Sequence, residues 1–140
     1  MSPRARREAL VLDTNLVVSA FLRPDGAAAQ ALLRALQDFD VVASHETLHE
    51  LLDVLGRDKF ERYLPRPQPL QYAQAYSEAV RRIDVSTRVT DCTDPKDNKF
   101  LALAIDAGAC ALVSGDKKDL LGMNPYRGIR ILSVREFLDG

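Results

Sequence analysis

Along this chain, short apolar runs alternate with longer stretches in which apolar residues return every three or four positions. Leu10-Val11-Leu12, Val41-Val42-Ala43, Ala109–Ser114 and Ile129–Leu132 have the length and bounding of buried strands. Ile83–Val89 holds a fifth, less sharply marked one. Between them the spacing turns helical. A short helix over Leu16–Leu22 is closed by Arg23-Pro24-Asp25-Gly26, and Ala27–Asp38 carries Ala28, Leu32, Leu33 and Leu36 at helical intervals. Ser44 is placed to cap a helix from His45 to about Gly56 whose stripe is Leu48, Leu51, Leu52 and Leu55. A short helix is expected over Asp58–Leu64, then a stiff non-helical connector at Pro65-Arg66-Pro67-Gln68-Pro69, then a helix over Leu70–Arg82. Cys92-Thr93-Asp94-Pro95 opens a helix that runs through Phe100, Leu101 and Ile105 to Gly108. A short helix near Leu120 and a last turn from Ser133 through Phe137 complete the order. Strands alternating with helices predict an α/β domain, a parallel sheet wrapped by helices.

That topology gives particular polar residues meaning. In open α/β sheets ligands bind beyond the carboxyl ends of the strands. Asp13 is the first polar residue after Leu10-Val11-Leu12, and Asp116 follows Ala111-Leu112-Val113-Ser114-Gly115 in the same way. Asp97 falls in the first turn of one helix and Glu50 in another, both able to reach the same edge. Each has an ordinary explanation alone: an acid in a first helical turn is favoured by the helix dipole, and Glu50 lies off the leucine stripe. Together they are expected to converge in an acidic pocket at that edge. Carboxylates packed together repel and raise one another's pKa unless a cation neutralises them. Hard divalent ions such as Mg²⁺ suit oxygen ligands and phosphate-ester chemistry. Asn15 and Ser114 fit as neutral partners that hold the acids or a bound water in place.

Bulk properties narrow the picture. The 140 residues are enough for one domain with an ordinary core, and 46% hydrophobic with 28% charged residues marks a globular chain. Residues 1–8, which include Arg4, Arg6 and Arg7, are expected to form a flexible basic N-terminus. No apolar stretch approaches the roughly 20 residues of a membrane span, and no signal-peptide pattern is present. Two cysteines, Cys92 and Cys110, are too few for a disulfide scaffold, so a reduced cytoplasmic protein is expected. A net charge of −1 argues against coating nucleic acid by charge alone, although Lys96, Lys99, Lys117 and Lys118 flank the candidate acids.

Four blocks together resemble a PIN domain: Leu12-Asp13-Thr14-Asn15, Ser44 through Glu50-Leu51, Asp94-Pro95-Lys96-Asp97-Asn98-Lys99-Phe100-Leu101, and Val113-Ser114-Gly115-Asp116 with Asp119-Leu120-Leu121. The likeness runs from about Ala9 to Phe137 and is greatest to the toxins of prokaryotic toxin–antitoxin modules. It implies an α/β/α sandwich with strand order 3-2-1-4-5 and a Mg²⁺- or Mn²⁺-dependent ribonuclease. It places Asp13, Glu50, Asp97 and Asp116 on the acidic quartet, as catalytic residues and metal ligands, and Asn15 and Ser114 on the supporting polar positions. Asp119 falls on an acid that some members add, and Asp94 is a further candidate of that kind. The choice of Glu50 over Glu46 rests on the resemblance, in which the acid directly precedes a Leu. A type II toxin implies RNA as substrate, a cognate antitoxin, no membrane, and usually a homodimer. The alternative is a PIN-fold interaction module without catalysis.

Two other signals compete. His45-Glu46-Thr47-Leu48-His49 spells the zinc-protease pattern H-E-x-x-H. It needs a third ligand, for which Glu61 and Glu78 are the candidates across loops, and its position at a helix N-terminus predicts surface or capping groups instead. A phosphatase or receiver module also starts from a strand-end Asp. Asn15 stands where a phosphatase-type pair needs its second Asp, and no strand-end Lys supports a receiver.

Overall fold

The computed structural model describes residues 7–57, 68–115 and 118–140. The helix expected over Asp58–Leu64, the catalytic candidate Asp116 and most of the expected N-terminal arm lie outside the described residues. In chain order the elements are β1 (Ala9–Leu12), α1 (Thr14–Leu22), α2 (Ala27–Asp38), β2 (Asp40–Ala43), α3 (His45–Leu55), α4 (Gln68–Ala79) and β3 (Arg81–Arg82). A 3₁₀ turn (Pro95–Asp97) then leads into α5 (Asn98–Ala107), followed by β4 (Ala111–Ser114), α6 (Lys118–Leu121), β5 (Arg130–Ser133) and α7 (Val134–Asp139). The five strands are all parallel in the order 3-2-1-4-5, with Leu10 opposite both Val41 and Ala111 and with Leu112 opposite Ile131.

Because β1 and β4 are central, every residue of both is buried. Their alternation feeds two separate cores. Leu10, Leu12, Ala111 and Val113 pack with Leu16, Val17, Ala31, Ala35, Leu51 and Phe137 on one face. Val11 and Leu112 pack with Phe100, Leu101, Leu103 and Leu120 on the other. The result is the three-layer sandwich.

Several boundaries differ from expectation for identifiable reasons. The first helix starts at Thr14, not Leu16, because the Asp13 carboxylate caps it by accepting from the Leu16 amide. On α2 the buried line is Ala31 and Ala35, two small residues that seat the helix closely, while Leu33 is exposed. Leu52 likewise turns outward from α3, whose buried face is Leu48, Leu51 and Leu55. Helix α4 includes Gln68 and Pro69, which were expected in a non-helical connector; in a first turn the missing proline N–H costs no bond. It ends at Ala79, before the expected Arg82.

β3 is the largest correction. It was expected over Ile83–Val89, but pairing stops with Arg81 and Arg82 beside Val42 and Ala43, and a last bond from the Ile83 amide to the Ala43 carbonyl (2.8 Å). Beyond Ala43 the neighbouring strand turns into α3, so no partner remains. Ser86 and Thr87 in this stretch are held instead by Asp106 of α5, whose carboxylate accepts from the amides of Ser86 (2.6 Å) and Thr87 (3.1 Å) and from the Thr87 hydroxyl. β4 starts at Ala111 rather than Ala109, because the Ala109 amide donates back to Ala104 around Gly108, which sits at φ 62°. β5 starts one residue late because Ile129 is engaged with Tyr126.

Candidate active site

Parallel strands share one carboxyl edge, so the residues after β1 and β4 and the first turns of α3 and α5 meet there. Asp13 is 1% exposed, and both of its oxygens accept hydrogen bonds. Oδ1 takes the Leu16 amide (2.9 Å) and the Gly115 amide (3.0 Å); Oδ2 takes the Ser114 hydroxyl (2.6 Å). The Asn15 side-chain amide donates to the Gly115 carbonyl at 3.4 Å. The end of β4 is thus laced onto the start of α1, and the approach is close. A Cβ on Gly115 would stand 2.8 Å from the Leu16 nitrogen. Tyr76 of α4 lines a small cavity below Asp13. Burial, with lesser contributions from Tyr72 and Asp13, raises its phenol well above the ordinary range, so it remains a neutral floor.

Asp97 is 2% exposed at the junction of the 3₁₀ turn and α5. It forms a cluster with Asp94 and Asp119, one carboxylate oxygen from each lying within 4.8 Å of the others. Asp94 caps the 3₁₀ turn by accepting from the Lys96 amide (3.1 Å), with Pro95 fixing the first turn position. Asp119 enters from α6, just after β4. Cys92 lies beside them, but burial raises its thiol above its ordinary pKa and the charges of Asp97, Asp119 and Asp94 add to this. The grouped donors are three carboxylate oxygens, and Cys92 is not among them. That set fits a hard divalent cation such as Mg²⁺ or Mn²⁺ and does not fit a thiolate-seeking metal.

Glu50, in the second turn of α3, is held differently. Its Oε1 accepts from Lys99 Nζ of α5 at 2.7 Å, and its Oε2 accepts from the Thr14 hydroxyl. The ammonium of Lys99 also donates to the Lys96 carbonyl. Thus Glu50 straps α3 to α1 and α5. The cluster of Asp94, Asp97 and Asp119 gathers one acid expected as catalytic and two expected only as supporting; Asp13 and Glu50 are fixed by their own partners at the same edge. Periodicity gave no hint of the Glu50–Lys99 pair, which joins residues far apart in sequence. The small Ser114-Gly115 step after a strand was the available signal for the close crossing at Asp13.

His45 and His49 are exposed on α3, their ring centroids 6.3 Å apart. Among the described residues, Asp94, Asp97 and Asp119 form the one group of three ligand-type side chains close enough to hold a metal, and neither histidine belongs to it.

The model of the PIN domain family matches residues 9–118. The chain belongs to the PIN-domain family. This PIN domain is 29% identical over 140 aligned positions to an uncharacterised protein of Methanocaldococcus jannaschii, covering 93% of this chain and 89% of the relative. Among solved structures its fold is similar to that of VapBC2 from Rickettsia felis, solved bound to a DNA fragment from their promoter (TM-score 0.62, 15% identity, 89% of this chain and 98% of that one). DNA-bound VapBC from Salmonella typhimurium matches with TM-score 0.62 at 16% identity, over 91% of this chain and 98% of that one. PAE2754 from Pyrobaculum aerophilum matches with TM-score 0.62 at 13% identity, over 94% and 88%. Among the described residues no helix of the PIN domain is long and apolar enough to cross a membrane.

Proposed function

We propose that this PIN domain is a metal-dependent endoribonuclease and the toxin of a type II toxin–antitoxin pair. The observation that carries the reading is the buried Asp97 with the oxygens of Asp94 and Asp119 within 4.8 Å. Three carboxylates at that separation repel unless a cation joins them. Mg²⁺ or Mn²⁺ would be held by Asp13, Glu50, Asp97 and Asp116, with Asp94 and Asp119 adding to the set. Such an ion supplies an activated water and stabilises developing charge in an in-line phosphodiester displacement. The chain's own residues orient the acids: Ser114 and the Gly115 amide fix Asp13, and Thr14 with Lys99 fixes Glu50. The likeness in fold to the VapBC structures supports a cognate antitoxin as the partner, and a cytoplasmic homodimer is the proposed assembly.

The experiment is RNA cleavage by the purified chain with Mg²⁺ or Mn²⁺ and a chelator control. Asp97→Asn and Asp119→Asn are compared with the wild type, and melting curves confirm that each variant folds. Cleavage that stops with chelator and falls at least about 100-fold in Asp97→Asn is expected. Unchanged cleavage by folded Asp97→Asn would end the nuclease reading. For the toxin role, the expected partner is the product of a small adjacent reading frame, a DNA-binding domain with a disordered tail, which suppresses cleavage when added. Light scattering on the purified chain checks the homodimer.

A further inference from the structure

Beside the acid cluster runs a groove of about 510 Å³, within the range of ligand clefts. One wall is the unpaired extended stretch that includes Ser86, Thr87, Arg88 and Thr90. The other walls are the first turns of α3 and α5, with Ser44 and Lys99. Lys99 is the residue whose ammonium holds Glu50, so one side chain is shared between the groove wall and an acid of the proposed site. We infer that this groove carries the sugar–phosphate backbone of a single strand of RNA to the acids, with Arg88 as its phosphate anchor. The inference rests on the nuclease reading for the identity of the strand.

Four observations carry it. On the extended wall Thr90 carries a hydroxyl that can donate to phosphate or sugar oxygens, while the hydroxyls of Ser86 and Thr87 are directed at Asp106. Arg88 is exposed and makes no ion pair or hydrogen bond with the described residues, so its guanidinium is available for bidentate contact with phosphate. The wall does not give way, because Asp106 pins the amides of Ser86 and Thr87 from behind. Finally, the groove is lined by no aromatic ring on which a base could stack. Recognition there reads the backbone and tolerates any sequence.

The test separates binding from cleavage. Affinity for a labelled, unstructured 12-nucleotide RNA is measured by fluorescence anisotropy in chelator across a salt series, for the wild type, Arg88→Ala, Arg88→Glu and Arg88→Lys. Arg88→Ala is expected to weaken binding about three- to tenfold and to lower the salt slope by about one, with Arg88→Lys retaining the slope. In cleavage assays Arg88→Ala is expected to raise KM with little change in kcat. Wild-type affinity and slope in Arg88→Glu overturn the groove even where cleavage is robust. Arg88-dependent binding without cleavage under any divalent ion leaves the groove standing and removes the nuclease. No binding of the strand by the wild type, or tighter binding of an RNA duplex, rejects the groove as drawn.

Discussion

Ser114 at the end of β4 donates to Asp13 at the end of β1 across 2.6 Å, joining the two central strands at the edge where the acids gather. Removing that hydroxyl leaves one oxygen of a buried carboxylate short of a donor. Ser114→Ala is expected to lower Mn²⁺ affinity or cleavage rate by about 10- to 100-fold, as loss of a ligand's hydrogen-bond partner does, and Ser114→Thr to restore most of it. Calorimetric titration with Mn²⁺ reads the effect. The same network makes Asp13→Asn a poor probe of chemistry: both oxygens accept, and a carboxamide has one acceptor and one donor.

Gly115→Ala tests the crossing itself. The added Cβ would meet the Leu16 backbone nitrogen at 2.8 Å, and backbone cannot move aside as a side-chain tip can. A loss of about 1–3 kcal/mol is expected, seen as a lower midpoint in urea with an unchanged slope. A midpoint equal to the wild type's refutes the close approach.

Lys99 competes with any cation for Glu50. The pair is about one-fifth exposed on each side, so its contribution is modest, on the order of 1 kcal/mol. Lys99→Met is expected to tighten Mn²⁺ binding by about fivefold, the equivalent of that energy. A Kd that does not move places Glu50 beyond the cation's reach and limits it to strapping α3 to α1 and α5.

Asp106 gives a pH dependence. Hydrogen bonds from the Thr87 hydroxyl first, then from the Thr87 and Ser86 amides, hold its carboxyl below its ordinary pKa. The folded protein therefore favours the ionised form. The stabilisation is complete above the ordinary Asp value of about 3.9 and is lost as pH falls through the lowered one. The protection factors of the Ser86 and Thr87 amides, taken relative to intrinsic exchange at each pH, are expected to fall as pH drops through that lowered value, and to be low in Asp106→Ala at every pH. Equal protection in that variant contradicts the arrangement.

Alanine at His45 and His49 together is expected to leave metal-dependent RNA cleavage within about twofold of wild type, since surface substitutions away from a site change little. Complete loss of cleavage returns the zinc reading of the H-E-x-x-H pattern to consideration.

How far the sequence could be read follows from what each element depends on. Apolar runs such as Leu10-Val11-Leu12 and Ala111-Leu112-Val113 declare a strand locally, and the caps at Ser44 and Ser133 declare a helix start, so most of the sandwich was legible. β3 was not, because its two residues are arginines, exposed, and are a strand only by virtue of the partner they lie against. Strand-end position singled out Asp13, and the first-turn position singled out Asp97. It took three dimensions to draw Asp94 and Asp119 into one cluster with Asp97 and to give Glu50 a lysine. Such pairings depend on where separate elements dock, which no local spacing encodes.

The split core has a functional corollary. Asp94, Asp97 and Asp119 all ride on the layer organised by Phe100, Leu101 and Leu120, while Glu50 belongs to the opposite layer. A substitution that loosens that one layer would therefore act on the triad directly, and on Glu50 only through Lys99 and the sheet the two layers share.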